Sequence, residues 1–177
     1  MLESASTGGV EEARVLEIGG GIGALQSELL EAGATSGEVV ELVSSYEAYA
    51  RELAQERGLA DRTTFRVADV IATPDDLDPA EIVLLNRVVC CSPDGVRLTG
   101  VAARITRRRL LLSFPRDRPL VRVGIRLANV WYWLLRRSFR VFLHPRAALV
   151  DAAKEEGMRL VDRGHVSLWE FVAFERA

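Results

Sequence analysis

Short apolar runs alternate with amphipathic stretches through the first half of the chain. The runs at residues 14–18, 37–43 and 63–68 are apolar and rich in β-branched side chains, which predicts strands. Residues 22–33 and 44–58 carry apolar side chains at helical spacing, and each stretch reaches a glycine near its end. The second of these stretches opens with serines, which predicts a serine-capped helix.

The same alternation continues after an irregular polar segment at residues 70–80. Residues 81–90 are apolar on both faces, which is typical of a central strand in a parallel sheet. A helix is predicted near residues 94–104, and a strand at residues 108–114. Strands that alternate with helices favour a parallel sheet with helices on both sides.

The last third of the chain changes character. An amphipathic helix is predicted at residues 120–137, and a second helix at residues 145–157 ends at a glycine. Two closing strands, residues 158–163 and 165–176, follow it. The sequence "DRGH" between them predicts a tight turn, and hence an antiparallel hairpin.

Together these elements predict one α/β domain over residues 1–177. We expect a Rossmann-like, doubly wound and mostly parallel seven-stranded sheet that ends in an antiparallel hairpin. Residues 1–13 form a short lead to the first strand.

Composition narrows the class of protein. A chain of 177 residues, 49% of them hydrophobic, can bury a sizeable core. We see no long apolar run that predicts a membrane span and no signal peptide, so we expect a cytoplasmic location. The two cysteines, Cys90 and Cys91, are adjacent, which suits neither a disulfide nor a zinc site. We expect reduced thiols at a strand end and no metal.

Charge divides the chain into two halves. Residues 1–90 contain 17 acidic residues and 6 arginines, a net charge of −11, whereas residues 91–177 contain 8 acidic and 17 basic residues, a net charge of +9. Between Arg97 and Arg146 there are 13 arginines and a single acidic residue, Asp117. This asymmetry indicates either an anionic partner for the second half or two faces that neutralise each other.

Four glycines follow the first predicted strand within the sequence "VLEIGGGIG", residues 15–23. Gly19, Gly21 and Gly23 form a G-x-G-x-G pattern between a strand and a helix. That arrangement lets a ligand approach the backbone at a helix N-terminus. With Ala24 the glycines also fit a dinucleotide-binding pattern. However, the carboxylate of Glu17 would repel a pyrophosphate and suits a cationic ligand.

The glycine pattern after an acidic residue resembles motif I of the class I methyltransferases. The resemblance continues through "GEVVELVSSYEAYARELAQERGLADRTTFRVAD", "NRVVCCSPD", "SFPRDR" and "FRVFLHPRAAL", and it is to small bacterial members of that family. It covers nearly all of residues 14–175. It implies that the chain binds S-adenosyl-L-methionine.

The resemblance also implies which residues hold the cofactor. Glu41 would accept hydrogen bonds from the ribose hydroxyls, Asp69 would read the adenine amino group, and Asn86 would bind the methionine end, where related enzymes often have aspartate. The implied binding residues are Glu17, Gly19, Gly20, Gly21, Gly23, Glu41, Leu42, Tyr46, Asp69, Val70 and Asn86.

Each of these residues also has an ordinary structural interpretation. Glu17 could be a strand-end residue, Glu41 a helix-capping acid, and Asp69 a turn former. Tyr46 could simply pack on its own helix.

Methyl transfer needs few catalytic groups, because the sulfonium is already activated and the protein mainly aligns the reactants. His144, in "FLHPR", is the candidate general base or substrate contact, with a structural hydrogen bond as the alternative. We expect His165 to be solvated at the hairpin turn. No other catalytic residue is indicated.

Residues 115–143 combine tryptophans with arginines and form an insertion. The insertion could close over the acceptor as a lid, bind an anionic substrate, or contact a membrane surface through residues 118–140. It resembles the corresponding insertion of magnesium-protoporphyrin methyltransferases, whose acceptor is a carboxylate on a flat apolar ring. The alternative is a helix buried against the sheet with solvated arginines.

The sequence therefore predicts a methyltransferase with a small-molecule acceptor, either anionic or apolar. No "NPPY"-like tetrapeptide is present, and we expect no nucleic-acid substrate. A non-catalytic binding module is the first alternative, favoured by Asn86 and by a lead of only 13 residues before Arg14 that leaves the pocket open. An NAD(P)-dependent oxidoreductase is the second.

Overall fold

The computed structural model of the chain describes residues 9–177. Its strands are β1 (Arg14–Ile18), β2 (Ser36–Glu41), β3 (Thr63–Val67), β4 (Ala80–Asn86), β5 (Thr106–Pro115), β6 (Met158–Val166) and β7 (Trp169–Arg176). Its α-helices are α1 (Ala24–Glu31), α2 (Tyr46–Glu56), α3 (Gly95–Ile105), α4 (Pro119–Leu134) and α5 (Arg146–Glu155). Residues 1–8 of the predicted lead lie outside the described residues.

All seven strands form one mixed sheet in the order β3-β2-β1-β4-β5-β7-β6. Strands β1 to β5 are parallel, and β7 lies antiparallel between β5 and β6. The predicted Rossmann-like fold with a C-terminal antiparallel hairpin is confirmed. The connection between β3 and β4 contains a short 3-10 turn, Pro74–Asp76, where the sequence predicted an irregular segment.

The sheet is covered on both faces because its central strands are apolar on both sides. In β4, Leu84 and Leu85 are fully buried in two different clusters. Leu85 belongs to the cluster that contains residues of α3 and α5, and Leu84 to the one that contains α1 residues such as Leu29. These two layers hold the carboxyl ends of the parallel strands at one edge, where open α/β sheets bind ligands.

Two helices begin later than the sequence predicted. Helix α1 begins at Ala24, because Gly23 has a left-handed backbone with φ of 76° and cannot continue a helix. Helix α2 begins at Tyr46. Ser45 occupies the N-cap position, as predicted, but its side chain makes no capping hydrogen bond.

Strand β4 is shorter than predicted. Its pairing with β5 ends at Asn86 opposite Ser113, and Arg87 then takes a left-handed backbone with φ of 58°. Cys90 and Cys91 therefore lie in a short 3-10 turn, Val89–Cys91, and not at the end of the strand.

The hairpin turn lies at Ser167 and Leu168, and not at residues 162–165 as predicted. The glycine of "DRGH", Gly164, is instead inside β6, where an added Cβ would lie 2.5 Å from the ring of Phe171. This glycine is needed for packing between the strands and not for a turn, which is why the predicted turn position was wrong. His165 is exposed, but it lies in β6 and not at the turn.

Helix α4 is not buried against the sheet, since none of its residues is buried. Along residues 9–177, no helix is both long enough and apolar enough to cross a membrane.

Candidate functional site

The glycine turn, residues 19–23, connects β1 to α1 at the carboxyl edge of the sheet. Gly19, Gly21 and Gly23 all have positive φ, between 58° and 76°. The N–H of Gly19 donates to the carbonyl of Val40, 2.8 Å away, which ties the turn to β2. Since L-residues rarely adopt such backbone angles, the turn requires glycine at these positions.

Crowding on the protein side of the turn also excludes side chains. An added Cβ would lie 2.2 Å from Cγ2 of Val88 at Gly19, and 2.7 Å from Cγ2 of Val39 at Gly23. At Gly21, in contrast, no atom lies within 4 Å of that position. The turn is therefore packed on one side and open at Gly21.

Glu41, the last residue of β2, lies next to the turn. Its Oε2 accepts a hydrogen bond from the N–H of Gly21 at 3.0 Å, and its Oε1 accepts from the N–H of Leu42 at 2.8 Å. The structure thus brings together two predicted site elements that are 20 residues apart in sequence. It holds a carboxylate at the open side of the turn.

Glu17 lies beneath the turn and is 2% exposed. Its Oε2 accepts from the N–H of Gln26 at 3.0 Å, and an added Cβ on Gly20 would lie 2.6 Å from its carboxyl carbon. Burial raises the pKa of Glu17 to about 7. The hydrogen bond from Gln26 lowers this pKa, and the charge of Glu41 raises it by a smaller amount. The carboxylate is directed at the turn and at the start of α1.

Several apolar side chains on Glu41's own segment and on the neighbouring elements are exposed. Leu42 and Tyr46, both predicted site residues, are 67% and 41% exposed. Sequence analysis missed three further apolar residues that are exposed at the ends of neighbouring elements: Ile22, Val43 and Val67. Their position directly beside the ends of parallel strands is the signal that could have identified them.

Asp69 and Val70 follow β3. Asp69 is exposed, and its Oδ1 accepts from the N–H groups of Ile71 at 2.9 Å and Ala72 at 3.3 Å. Val70 is 6% exposed, and its side chain belongs to the core. In this structure Asp69 forms its own turn, while the side chain of Val70 faces the protein interior.

Asn86, at the end of β4, is bonded to the neighbouring strand. Its Oδ1 accepts from the hydroxyl of Ser113 at 2.7 Å, and the Ser113 oxygen in turn accepts from the N–H of Arg87 at 2.9 Å. The Arg87 guanidinium lies 4.7 Å from the centre of the Trp169 ring, a cation–π contact. Sequence analysis missed Arg87, Ser113 and Trp169, because only the pairing of β4, β5 and β7 brings them together.

The two thiols face the same carbonyl. The sulfur of Cys90 lies 3.3 Å from the oxygen of Arg87, and that of Cys91 lies 3.5 Å from it. A hydrogen bond between the thiols lowers the pKa of Cys91 and raises that of Cys90. Cys91 is exposed and Cys90 is buried.

Across residues 9–177, no group of three or more histidine, cysteine, aspartate or glutamate side chains could hold a metal ion.

His144 packs on the turn that follows β4. Its Nε2 lies 3.0 Å from the carbonyl oxygen of Ser92, and an added Cβ on Gly95 would lie 2.6 Å from its ring. The neighbouring Phe142 donates its N–H to the carbonyl of Cys90 at 2.7 Å. His144 is therefore attached to the segment that follows β4, and not to the glycine turn.

Known structures share this architecture. Magnesium protoporphyrin IX methyltransferase from Synechocystis PCC 6803 with bound SAH aligns with a TM-score of 0.80 and 20% identity, over 97% of this chain and 78% of that one. An O-methyltransferase family protein from Burkholderia thailandensis aligns with a TM-score of 0.80 and 18% identity, over 100% and 55%. Mitomycin 7-O-methyltransferase aligns with a TM-score of 0.72 and 24% identity, over 99% and 54%. This chain has the class I methyltransferase fold.

The chain spans about half the length of the latter two proteins. No protein-family model matches its sequence, and no curated protein gives a significant match. The methyltransferase fold is thus recognised from structure at identities that establish architecture alone.

Within this methyltransferase fold, another surface hollow lies at the opposite edge of the sheet. It has a volume of about 510 Å³, and its lining includes Arg14, Glu38 and Arg66. Both arginines pair with Glu38, at 2.5 Å and 2.7 Å. Because these charges satisfy one another and most of the lining precedes or begins the strands, away from their carboxyl ends, we place the candidate site at the glycine turn.

Proposed function

We propose that the chain is an S-adenosylmethionine-dependent methyltransferase with a small-molecule acceptor. The observation that carries this proposal is the carboxylate of Glu41 at the open side of the glycine turn, bonded to the N–H of Gly21. A carboxylate accepts hydrogen bonds and does not donate them, so at this position it suits a ligand with hydroxyl donors or positive charge.

The residues at the turn fit this cofactor. The space at Gly21 would allow close approach of the cofactor to the backbone. Glu41 would bind the ribose hydroxyls, while Leu42 and Tyr46 would supply apolar contacts to the base. When bound, S-adenosylmethionine supplies a methyl group on a sulfonium. Glu17 would act from beneath the turn, where it holds the first turn of α1 through the N–H of Gln26.

Asp69 and Asn86 complete the proposed cofactor site at its two ends. Asp69 is exposed and would bind the adenine amino group by one of its oxygens. Asn86, half-buried and bonded to Ser113, would present its amide to the methionine end. Val70 would contribute through its backbone, since its side chain is in the core.

The acceptor would lie beyond Asn86, towards Arg87 and His144. Because a carbonyl oxygen only accepts hydrogen bonds, Nε2 of His144 carries the proton in its contact with Ser92. In the neutral ring Nδ1 would then be the nitrogen that takes a proton from the acceptor. Arg87, held against Trp169, favours an anionic or apolar aromatic acceptor over a cationic one.

A dinucleotide cofactor fits the turn less well. The N–H of Gly21, which a pyrophosphate would need, already donates to the carboxylate of Glu41. Two anionic groups at the same N–H would repel each other. A non-catalytic binding module stays the alternative, because Asn86 places an uncharged amide, already bonded to Ser113, beside the proposed acceptor site.

Calorimetric titration tests the cofactor. We expect wild type to bind S-adenosylmethionine, and Glu41→Ala to weaken binding by about tenfold or more, since a hydrogen bond to a charged group contributes roughly 1.5–3 kcal/mol. Glu52→Gln, an exposed change on α2, is the matched control. Unchanged binding in Glu41→Ala, or saturable binding of reduced nicotinamide cofactor instead, would overturn the assignment.

Transfer of a labelled methyl group to a metabolite extract then separates the two functions. Labelled product that is lost in His144→Ala supports an enzyme with this base. Binding without any transfer supports the module.

A further inference from the structure

Helix α4 carries its apolar side chains on the surface. Seven of them are between 52% and 86% exposed: Trp133 and a group of six, Leu120, Val123, Leu127, Val130, Trp131 and Leu134. At about 100° per residue these six positions fall within roughly 100° of arc, which is one face of the helix. We call this face, with the arginines around it, the α4 surface.

The opposite side of α4 faces the protein. Its half-buried residues are Val121, Ile125, Ala128, Asn129 and Tyr132. The side chain of Asn129 bonds both to the N–H and to the carbonyl of Val141, each at 2.8 Å. The helix is thereby attached by one face, and the α4 surface is directed outward. A contiguous exposed apolar patch of this kind marks an interaction site.

The arginines around the α4 surface specify the charge of the partner. The only acidic residue among residues 97–146 is Asp117, and it pairs with Arg122 at 2.5 Å. Within residues 9–177, no carboxylate lies at salt-bridge distance from the four remaining exposed arginines of this region, Arg118, Arg126, Arg136 and Arg137. Free guanidinium groups beside an apolar stripe match an anionic, amphipathic partner.

We propose that the α4 surface binds the anionic surface of a lipid bilayer. A helix with this pattern lies in the interface, with leucine and tryptophan inserted among the acyl chains and arginine at the headgroups. A second copy of the chain is disfavoured, because a two-fold contact through this face would bring its own arginines together. The helix lies on the bilayer and does not span it.

The attachment of α4 orients the rest of the molecule. The helix begins four residues after Pro115, the last residue of β5, at the carboxyl edge of the sheet. The exposed hairpin turn is beside its start, because the N–H of Arg116 donates to the carbonyl of Leu168 at 2.9 Å. With α4 on the bilayer, the edge that carries the glycine turn lies on the membrane side. The inference stands independently of the proposed methyl transfer.

Co-sedimentation with vesicles tests the proposal. We expect the protein to bind vesicles that contain phosphatidylglycerol, to bind pure phosphatidylcholine vesicles at least about tenfold more weakly, and to be released by salt. Arg126→Glu/Arg137→Glu should lower the affinity by about tenfold or more, at about 1 kcal/mol for each basic residue. The matched control is Arg107→Glu/Arg159→Glu, at the opposite edge of the sheet, which should change it less than twofold.

A second pair of variants examines the apolar stripe. Leu127→Gln/Trp131→Gln should weaken vesicle binding by about tenfold or more, whereas Tyr49→Gln, an exposed change on α2, should not. Circular dichroism confirms that each variant is folded. Trp169→Phe leaves Trp131 and Trp133 as the only tryptophans, and brominated lipids should quench their emission.

Three results would overturn the proposal. They are absence of binding to anionic vesicles, equal binding by the α4 and control variants, and a dimer in solution that the α4 variants convert to monomer. The last result would assign the α4 surface to a second copy of the chain.

Discussion

The glycine turn and helix α4 lie at the same edge of the sheet but are held in opposite ways. At Gly19, an added Cβ would lie 2.2 Å from Val88, and beneath the turn Glu17 is 2% exposed. In α4 no residue is buried, and at Gly124 no atom beyond the neighbouring helix backbone lies within 4 Å of an added Cβ. The turn is constrained by this chain's own atoms, whereas the outer face of α4 is not.

This difference indicates a different kind of partner for each region. A crowded turn with left-handed glycines is a pre-formed backbone surface, which a small ligand can use without rearrangement. An apolar helix face without a partner in its own chain costs hydration free energy until something covers it. Substitutions in the turn should therefore alter folding, while substitutions on α4 should mainly alter association.

The largest effect is expected at the turn. Gly19→Ala would combine a φ of 64° with a Cβ in contact with Val88, so we expect unfolding free energy to fall by about 3 kcal/mol or more. Urea denaturation measures it. A loss below about 1 kcal/mol would show that Val88 yields readily to a side chain at Gly19, and would remove the contrast with α4.

The buried carboxyl under the turn predicts a pH dependence. Its pKa of about 7 lies above the ordinary value of 4.5, so the folded state binds more protons than the unfolded state between these pH values. Stability should therefore fall as pH rises from about 4.5 to about 7, by up to roughly 1.4 kcal/mol per pH unit. Denaturation of wild type and Glu17→Gln over this range should show the slope only in wild type.

Exposed Glu52→Gln serves as the control for that slope and should leave it unchanged. An identical pH profile in wild type and Glu17→Gln would mean that Glu17 is ionised in the folded protein throughout.

A smaller effect is expected at Gln26, whose side chain is fully buried with neither Nε2 nor Oε1 hydrogen-bonded. Gln26→Met removes the unpaired amide and keeps the volume, and should raise unfolding free energy by about 1–2 kcal/mol. Exposed Gln55→Met should have almost no effect. A destabilised Gln26→Met would indicate that the amide has a partner in solution.

The smallest effect is expected on α4. Gly124→Ala adds a methyl group in open space inside a helix, and should raise unfolding free energy by about 0.5–1 kcal/mol. Thermal denaturation measures the change. A fall in unfolding free energy would instead show that the helix face at Gly124 packs against other parts of the protein.

Local patterns predicted most of the fold. The strand at residues 14–18 was correct to the residue, because an apolar run followed by glycines has few alternatives. The hairpin turn was wrong because Gly164 is required by the ring of Phe171, a partner seven residues away that only strand pairing brings close. Strand β4 was predicted too long, because an apolar run does not reveal where its neighbour stops pairing.

The sequence predicted which residues lie near the candidate site better than it predicted the contacts that they make. Residues that follow parallel strands meet at one edge, so the neighbourhood of Glu41 and the glycines could be expected. The cation–π pair of Arg87 with Trp169 could not, because it joins residues 82 positions apart across three strands.

Sequence alone determined the order of the elements, the glycine turn and the apolar stripe of α4, because each depends on neighbours within a few positions of the chain. Only the tertiary structure decided that Glu17 is buried, that Glu41 bonds to Gly21, and that the stripe of α4 faces outward. Burial and long-range hydrogen bonds depend on which surfaces meet when the sheet is assembled, and this information is not present in any single segment.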